Sequence, residues 1–387
     1  IRWDHPTLNE LRKKNIKVKG EISLAWERLN YLPWIGVTGT NGKTTVTSLL
    51  KHVLNTNGLI VPTGGNIGLP GSEIALKLKA KNQIGSTDWL LMELSSYQIE
   101  TSPEISPKIG IWTNLTPDHL ERHGTIERYQ SIKQGLIENS QIRIFNADDE
   151  FLSNNRTKFS KGIWVSTKGD AEKKNYIDFW INNDGIVVEQ NKLLFDSSLL
   201  NLPGEHNLQN LLLVTAAARK IGLSAKEIAQ SINSFKNISH RLEKLGCIEE
   251  MIIYNDSKAT NYESATMALQ AIKTPIIVIA GGRRKEGDFK NWLAQLKKNT
   301  CGIILFGESG NFLKDIIRNS GYKYEFHCCN KLSTAITLAI NLGQKNSAKS
   351  LLFSPACSSF DSYENYEARG NHFRELISPR LTDQKQE

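Results

Sequence analysis

The sequence predicts an α/β protein in which a central, mostly parallel sheet is followed by a second, Rossmann-like α/β domain. Three observations support this. Short apolar runs alternate with stretches of helical periodicity, a glycine-rich turn joins one apolar run directly to a helix, and polar segments follow several of the apolar runs. Continuous apolar runs between helices are typical of parallel strands buried on both faces. Such sheets collect ligands at the carboxyl ends of their strands.

The most informative segment is the glycine-rich turn at residues 36–45, which reads Gly-Val-Thr-Gly-Thr-Asn-Gly-Lys-Thr-Thr. Backbone N–H groups and the positive end of a helix attract phosphate. In such a P-loop, Lys43 would reach the outer phosphates and the Thr44 hydroxyl would bind Mg²⁺. The usual motif has a glycine where this chain has Val37, so the match is not strict. The residues expected to bind a nucleoside triphosphate are Gly39, Thr40, Asn41, Gly42, Lys43, Thr44 and Thr45.

The elements of the central region follow from the same periodicity. A strong helix is predicted over Asn207–Ile221, ended by Gly222. Short alternating runs around Asn183-Asp184-Gly185 predict a small antiparallel insert within residues 160–200. The predicted strands are 34–38, 88–93, 109–114 and 142–146.

A second alternating region begins near Ser239 and predicts another open α/β sheet. Residues 1–30 offer only a short helix, a strand at 16–18 and a helix at 22–29, too few pieces for a core. We expect domains at 31–236 and 237–387, with a mobile hinge near 236–240 that closes the second domain onto the first. In the second region the predicted strands are 251–255, 275–280, 302–306 and 350–353, and the predicted helices are 261–272, 309–319, 331–342 and 364–377.

The composition and charge of the chain limit the kinds of partner that it is expected to bind. The 387 residues carry a net charge of +8, but the basic residues are scattered among acidic ones and form no basic arm. We therefore expect no nucleic-acid partner and anionic, phosphorylated substrates instead. No apolar run approaches the length of a membrane span. The five cysteines show no zinc or redox spacing, which predicts reduced thiols and a cytoplasmic location. The sequence carries no signal for oligomeric state, and a monomer is the expectation.

Several polar residues at predicted strand ends are candidates for chemistry. Glu93 is placed for a Mg²⁺ ligand or a water-orienting acid, with a solvated strand-end acid as the alternative. His119 suits a metal or a phosphate, although a lone histidine is more often structural. Lys133, on a predicted helix, would ordinarily be a surface residue, and only a buried lysine with a lowered pKa could react with CO₂ to form a carbamate. Cys357 has no partner histidine and is not expected to be a nucleophile.

These segments together resemble the Mur ligase family of ATP-dependent amide-forming ligases. They occur in family order over nearly the whole chain, and the last two resemble the branch that adds D-glutamate. The matching segments are GTNGKTT (39–45), GGNIGLP (64–70), ELSSYQIE (93–100), NLTPDHLERHG (114–124), GEHNLQN (204–210), HRLE (240–243), NDSKATN (255–261) and SPACSSFDSYENYEARG (354–370).

The resemblance implies an acyl-phosphate intermediate, ATP, two Mg²⁺ ions, and the substrates UDP-N-acetylmuramoyl-L-alanine and D-glutamate. It also implies a P-loop-type ATPase domain followed by a Rossmann-like amino-acid-binding domain. The residue roles that it implies are Lys43, Thr44 and Glu93 at the phosphates and first Mg²⁺; His119 and a carbamylated Lys133 at the second Mg²⁺; Asn66 at the muramoyl substrate; Asn210, Arg241 and Asp256 at ATP; Lys258 near the transferred phosphate; and Thr260, Lys285, Ser359, Phe360 and Tyr366 at D-glutamate.

The chain departs from the family at its front. Members carry a whole N-terminal domain for the UDP moiety, and residues 1–30 match only its final part, so we expect the sequence to be a shortened form. Two other functions remain open. The chain could be another ligase of this type, similar to folylpolyglutamate synthetase, or a nucleotide-binding fragment without turnover.

Overall fold

The computed structural model describes residues 2–159, 161–168, 175–236, 238–284 and 287–382. The chain divides into two compact units. The first comprises Ile1–Asn201 and Glu205–Phe235, and the second comprises Leu202–Gly204 and Lys236–Glu387. None of the helices in the described residues is long and apolar enough to cross a membrane.

The first unit is built on one sheet, which has nine strands among its described residues. Its order is β2-β3-β1-β4-β5-β6-β7-β8-β9, parallel from β2 through β7 and antiparallel from there to β9. The elements are α1 (Pro6–Lys13), α2 (Glu21–Leu29), β1 (Trp34–Thr38), α3 (Lys43–Thr56), β2 (Thr63–Gly65), α4 (Gly71–Ala80), β3 (Leu90–Glu93), α5 (Ser96–Glu100), β4 (Ile109–Trp112), α6 (Leu120–His123), α7 (Ile126–Glu138), β5 (Ile142–Asn146), α8 (Glu150–Asn154), β6 (Gly162–Ser166), β7 (Phe179–Ile181), β8 (Ile186–Glu189), β9 (Lys192–Asp196), α9 (Glu205–Ile221) and α10 (Ala225–Asn233).

The central strands are buried along their whole length, as their continuous apolar sequences predict. Every residue of β1, β3 and β4 is buried. Strand β1 lies between β3 and β4, so its carboxyl end is flanked by Glu93 on one side and by the segment after Trp112 on the other. This order places three polar segments side by side, namely the turn after β1, Glu93 at the end of β3 and the segment after β4.

One expectation for the first unit was wrong, and another was met only in part. Residues 16–18 form no strand and connect α1 to α2. Antiparallel pairing does occur around Asn183-Asp184-Gly185, where β7, β8 and β9 pair in antiparallel fashion. These strands do not form a separate insert, because β6 pairs in parallel with β5 and β7 and thus joins them to the main sheet. The alternating sequence pattern correctly predicted strands in this region, but such a pattern does not show which strand each one pairs with.

The second unit contains a sheet with six strands among its described residues, in the order β10-β11-β15-β12-β13-β14. All neighbours are parallel except β10 and β11, which form a hairpin. Its elements are β10 (Glu243–Ile248), β11 (Met251–Asn255), α11 (Tyr262–Ala271), β12 (Ile276–Gly281), α12 (Lys290–Asn299), β13 (Thr300–Phe306), α13 (Gly310–Asn319), β14 (Phe326–Cys329), α14 (Leu332–Lys345), β15 (Ser350–Phe353) and α15 (Tyr366–Ile377). The fold class predicted from the sequence is confirmed.

Two buried clusters hold this second sheet and its helices together. In one of them Phe353 of β15 stacks on Phe373 of α15, with ring centroids 4.4 Å apart and planes 15° apart. Both side chains are fully buried. This contact fixes α15 on the sheet and therefore the loop between β15 and α15.

Phe373→Ala is expected to lower the free energy of unfolding of the second unit by about 3–5 kcal/mol, because it leaves a cavity under α15. Urea denaturation followed by circular dichroism measures the change. Phe360→Ala is the matched control, since Phe360 is 61% exposed, and it should change stability by less than about 0.5 kcal/mol. An equal effect of the two substitutions would contradict this packing.

Candidate nucleotide and metal site

The predicted phosphate loop forms a tight turn between β1 and α3. Gly39 and Gly42 have φ angles of 146° and 82°, which favour glycine. A Cβ atom on Gly39 would collide with Thr113 Oγ1, and one on Gly42 would lie 2.7 Å from Asn210 Oδ1. Helical hydrogen bonding starts with Val46 N donating to Gly42 O at 2.9 Å. The first N–H groups of α3 therefore have no acceptor within the helix, which suits an anion.

Lys43 lies across this turn. Its Nζ donates to the carbonyl oxygens of Gly39 at 2.9 Å and Thr40 at 2.8 Å. The ammonium group is thereby held at the mouth of the turn, where a phosphate would approach the N-terminus of α3. This is the position that the sequence motif predicts for the lysine.

Two oxygen atoms beside the turn fit a divalent cation. Thr44 Oγ1 and Glu93 Oε2 are buried and have no hydrogen-bond partner among the described residues. The other Glu93 oxygen, Oε1, accepts from Asn66 Nδ2 at 2.8 Å. Mg²⁺ prefers oxygen ligands and is commonly held by one or two protein groups together with substrate phosphates. The described residues contain no cluster of three or more His, Cys, Asp or Glu side chains that could hold a metal, so the phosphates would supply further ligands.

Asn66 is tied to this carboxylate. Its backbone N donates to Glu93 O at 2.8 Å, in addition to the side-chain contact. The structure thus gives Asn66 a part in orienting Glu93, while its expected contact with a muramoyl substrate stays a prediction.

Lys133 is not the surface residue that its helix alone would predict. Its side chain is 1% exposed, and Nζ donates to Gly39 O at 2.8 Å and Thr38 Oγ1 at 3.3 Å. Nζ also lies 4.6 Å from the centre of the Tyr129 ring. Burial, and then the nearby charge of Lys43, hold the pKa of Lys133 well below its usual value. A neutral amine is the form that reacts with CO₂, so the residue fits a carbamate.

His119 lies in the loop that precedes α6, with a left-handed φ of 57°. Its Nδ1 is 3.1 Å from the Tyr97 hydroxyl and its Nε2 is 3.5 Å from Asp118 Oδ2. The charge of Asp118 acts on the pKa of Lys133, so this loop lies near the buried amine. The polar neighbours would fix the ring tautomer of a metal-binding histidine.

Asn210 is buried on α9, and its Oδ1 faces Gly42. Its Nδ2 is 3.4 Å from Asn207 Oδ1. The structure therefore places Asn210 against the phosphate turn. Its contact with ATP stays a prediction.

Sequence reasoning gave no role to Thr113 and Asn114, which directly contact the turn. Thr113 Oγ1 donates to Asn41 O at 2.5 Å, and Asn114 Oδ1 accepts from Asn41 N at 2.8 Å. Two signals were available: both residues follow an apolar run, and Asn114 begins the segment NLTPDHLERHG at 114–124.

In the second unit, the polar ends of β11, β15 and β12 lie side by side. Asp256 follows β11, and its Oδ2 accepts from Ser354 Oγ, after β15, at 2.8 Å. Burial raises the pKa of Asp256 to about 7, although hydrogen bonds from Ser354 and Leu242 N and the charge of Arg241 oppose the rise. Arg283, after β12, bridges to Ser358. The expectation of one polar edge in this sheet is therefore met.

Lys258 lies over an aromatic ring at this edge, with Nζ 3.6 Å from the centre of the Tyr366 ring. Arg369, which the sequence analysis missed, is fully buried. It donates to Ser257 Oγ, Ser257 O and Cys357 O at 3.1, 2.8 and 3.0 Å. Arg369 thus ties the segments after β11 and β15 to α15.

The remaining predicted residues of this edge are placed as follows. Ser359 is buried and Phe360 is exposed, while the backbone N of Thr260 donates to Lys258 O at 2.8 Å. Lys285 lies outside the described residues. Burial raises the pKa of Cys357 to about 11, which agrees with the expectation that it is not a nucleophile.

The turn, its lysine and the helix after it define a P-loop unit, and a second α/β unit follows it. The chain belongs to the Mur ligase family. Residues 37–218 match the family model described as "Mur ligase middle domain", and residues 240–357 match "Mur ligase, glutamate ligase domain". The resemblance noted in the sequence is confirmed.

Curated relatives extend the likeness over nearly the whole chain. A UDP-N-acetylmuramoylalanine--D-glutamate ligase from Prochlorococcus marinus (strain MIT 9313) is 56% identical over 99% of this chain and 83% of its own length. The ligase of the same name from Synechococcus sp. (strain CC9902) is 50% identical over 98% of this chain and 82% of its own length.

Solved structures share the fold at low sequence identity. A UDP-N-acetylmuramate-alanine ligase from Thermotoga maritima matches with a TM-score of 0.65 at 19% identity, covering 98% of this chain and 84% of that one. Folylpolyglutamate synthase from Mycobacterium tuberculosis matches with a TM-score of 0.67 at 13% identity, covering 98% and 99%.

Asp256→Asn is expected to change how stability depends on pH. Since the pKa of Asp256 is raised to about 7 by burial, the folded chain binds this proton more tightly than the unfolded chain does. Between about pH 4 and pH 7 the wild type therefore loses up to about 1.4 kcal/mol of stability per pH unit from this group. The asparagine variant lacks that loss.

Urea denaturation at pH 5, 6 and 7 tests this expectation. The free energy of unfolding of the variant, minus that of the wild type, should rise with pH across this window. Asp184→Asn, which changes an exposed carboxylate, is the control. A constant difference for Asp256→Asn would contradict the raised pKa.

Proposed function

We propose that this protein is an ATP-dependent ligase that joins D-glutamate to UDP-N-acetylmuramoyl-L-alanine, as the names of its 56% and 50% identical relatives say of those proteins. One observation carries the proposal. The phosphate turn, two unpartnered oxygen atoms and a buried lysine of lowered pKa all meet at the carboxyl end of β1. This is a site for phosphate transfer that requires a divalent cation.

The chemistry follows from the low reactivity of a carboxylate. A carboxylate oxygen of the muramoyl-alanine substrate attacks the γ-phosphorus of ATP, the bond to the β-phosphate oxygen breaks, and ADP leaves. The amine of D-glutamate then attacks the acyl carbon of the resulting acyl phosphate. Phosphate departs, the amine loses a proton, and an amide remains. Lys43 stabilises the negative charge that gathers on the transferred phosphate.

The metal ligands are divided between two ions in this proposal. Thr44 and Glu93 would hold one Mg²⁺, and His119 and a carbamate on Lys133 would hold the other. When bound, the ions neutralise phosphate charge and orient the reacting oxygens. Burial of Lys133 supports the carbamate, because it keeps the amine neutral and places an anion beside the phosphate turn.

The second unit would bind the amino acid. The polar edge after β11, β15 and β12 supports this assignment, since ligands gather at such strand ends. The proposed roles are D-glutamate binding by Thr260, Lys285, Ser359, Phe360 and Tyr366, phosphate contact by Lys258, ATP contact by Asn210, Arg241 and Asp256, and muramoyl contact by Asn66. The five cysteines, all of which lie in the described residues, form no disulfide, which supports work in the reducing cytoplasm, and we propose a monomer.

Phosphate release from ATP is expected to require both UDP-N-acetylmuramoyl-L-alanine and D-glutamate. A coupled phosphate assay with D-glutamate, L-glutamate and a folate acceptor measures the requirement. Equal release with L-glutamate and a folate would favour folylpolyglutamate synthesis, whose enzyme shares this fold. Nucleotide binding without any release would indicate a fragment that lacks turnover.

Lys43→Ala is expected to reduce turnover about a hundredfold or more, because the variant loses the cation at the transferred phosphate. The fold should persist, as judged by circular dichroism. Lys51→Ala is the matched control, since Lys51 is an exposed lysine on the same helix. Activity near the wild-type level in Lys43→Ala would contradict the assigned role.

Lys133→Ala is expected to be inactive and to recover part of its activity in the presence of a small carboxylate such as acetate or formate. The added anion would take the place of the carbamate beside the turn. The dependence of rate on carboxylate concentration measures the rescue, and chloride at equal ionic strength is the control. Two results together would contradict the carbamate on Lys133. They are the absence of any rescue, and the absence of a carbamate ¹³C signal in wild-type protein supplied with ¹³CO₂.

A further inference from the structure

The middle of the phosphate turn is already hydrogen-bonded to a neighbouring loop. Thr40 N donates to Asn114 O at 3.1 Å and to Asn114 Oδ1 at 3.2 Å, and Asn41 N donates to the same Oδ1 at 2.8 Å. In return Asn114 Nδ2 donates to Asn41 O at 3.2 Å. One side chain therefore satisfies two N–H groups and one carbonyl group of the turn.

The residues around Asn114 strengthen this contact. Thr113 Oγ1 donates to Asn41 O at 2.5 Å. Thr40 Oγ1 donates to Thr116 O at 3.0 Å and lies 3.0 Å from Thr116 N, which donates to it. The parallel register of β1 and β4 pairs Thr38 with Trp112, so the two strand ends run side by side into these contacts. The segment 113–116 is thus a brace along one side of the turn.

The sequence of the turn explains why a brace is needed. Strand β1 continues through Val37 to Thr38, so only residues 39–42 are left to reverse the chain before α3. Two of these four residues are glycines with positive φ. Glycine adopts many conformations in the absence of restraint, so such a turn would lose much freedom when it closes around a phosphate.

We propose that Asn114 is a positioning residue that orders the phosphate turn before nucleotide binds. Because the N–H groups of Thr40 and Asn41 are engaged by Asn114, the contacts to phosphate fall to Gly42 and the first turn of α3. A preordered turn binds its ligand more tightly because less freedom is lost on binding. This inference rests on the proposed nucleotide-binding function and adds the residue that prepares the site for it.

Asn114→Ala is expected to raise the dissociation constant of ATP about tenfold or more, because Asn41 N and Thr40 N both lose the side-chain acceptor Oδ1 and Thr40 N keeps only its bond to the backbone oxygen of residue 114. Isothermal titration calorimetry measures it. The KM for ATP should rise in parallel, while kcat at saturating ATP and the KM for D-glutamate stay near wild type. Hydrogen exchange measured by mass spectrometry in nucleotide-free protein should become faster in a peptide that covers residues 39–42, and stay unchanged in β12.

Two further variants sharpen the test. Asn139→Ala is the matched control, since Asn139 also donates its side-chain amide to backbone carbonyl groups, those of Pro103 and Ile105, away from the turn. It should bind ATP as the wild type does. Asn114→Asp keeps the oxygen acceptor, so the slow exchange of the turn should be retained even though the added charge weakens ATP binding.

The outcomes separate this inference from the proposed function. A wild-type dissociation constant and wild-type exchange in Asn114→Ala would overturn the inference while the function stands. Absence of ATP binding by the wild-type protein would overturn the function itself. If the alanine variant does not fold, Asn114→Leu fills similar space without the hydrogen bonds, and wild-type affinity in that variant would equally contradict the inference.

Discussion

The site depends on one carbonyl group. The oxygen of Gly39 accepts hydrogen bonds from Nζ of Lys43 at 2.9 Å and from Nζ of Lys133 at 2.8 Å. One lysine comes from the helix after the turn, and the other comes from α7. Burial, and then the nearby charge of Lys43, lower the pKa of Lys133. The shape of the turn therefore also sets the chemistry of Lys133.

The order of strands makes this arrangement possible. Strand β1 lies between β3 and β4, so the turn receives a carboxylate, Glu93, from one side and the brace at 113–116 from the other. Glu93 and the brace are each more than fifty residues away from the turn in the sequence. The parallel sheet thus brings these distant groups to the turn. A short, glycine-rich turn is therefore enough to complete the site, and no longer loop is needed.

The sequence predicted those parts of the structure that depend on residues close together in the chain. The turn, the buried strands and the position of Glu93 follow from motif and periodicity. The position of Lys133 on α7 did indicate burial, because Lys133 shares one stripe of the helix with Tyr129, Leu136 and Ile137. The residue type obscured this pattern, because a lysine on a helix is ordinarily a surface residue. The brace by Asn114 was not predictable, because its partners lie 73 and 74 residues away. The parallel pairing of β6 with β5 was missed for another reason, because an alternating pattern predicts a strand but not its partner.

The central claim is that this phosphate turn serves to activate a carboxylate. Transfer of ¹⁸O tests it most directly. UDP-N-acetylmuramoyl-L-alanine labelled with ¹⁸O in its carboxylate is incubated with ATP, Mg²⁺ and D-glutamate, and the released phosphate is analysed by ³¹P NMR or mass spectrometry. Formation of an acyl phosphate predicts that one ¹⁸O atom appears in each phosphate released. Amide formation with unlabelled phosphate would contradict the account.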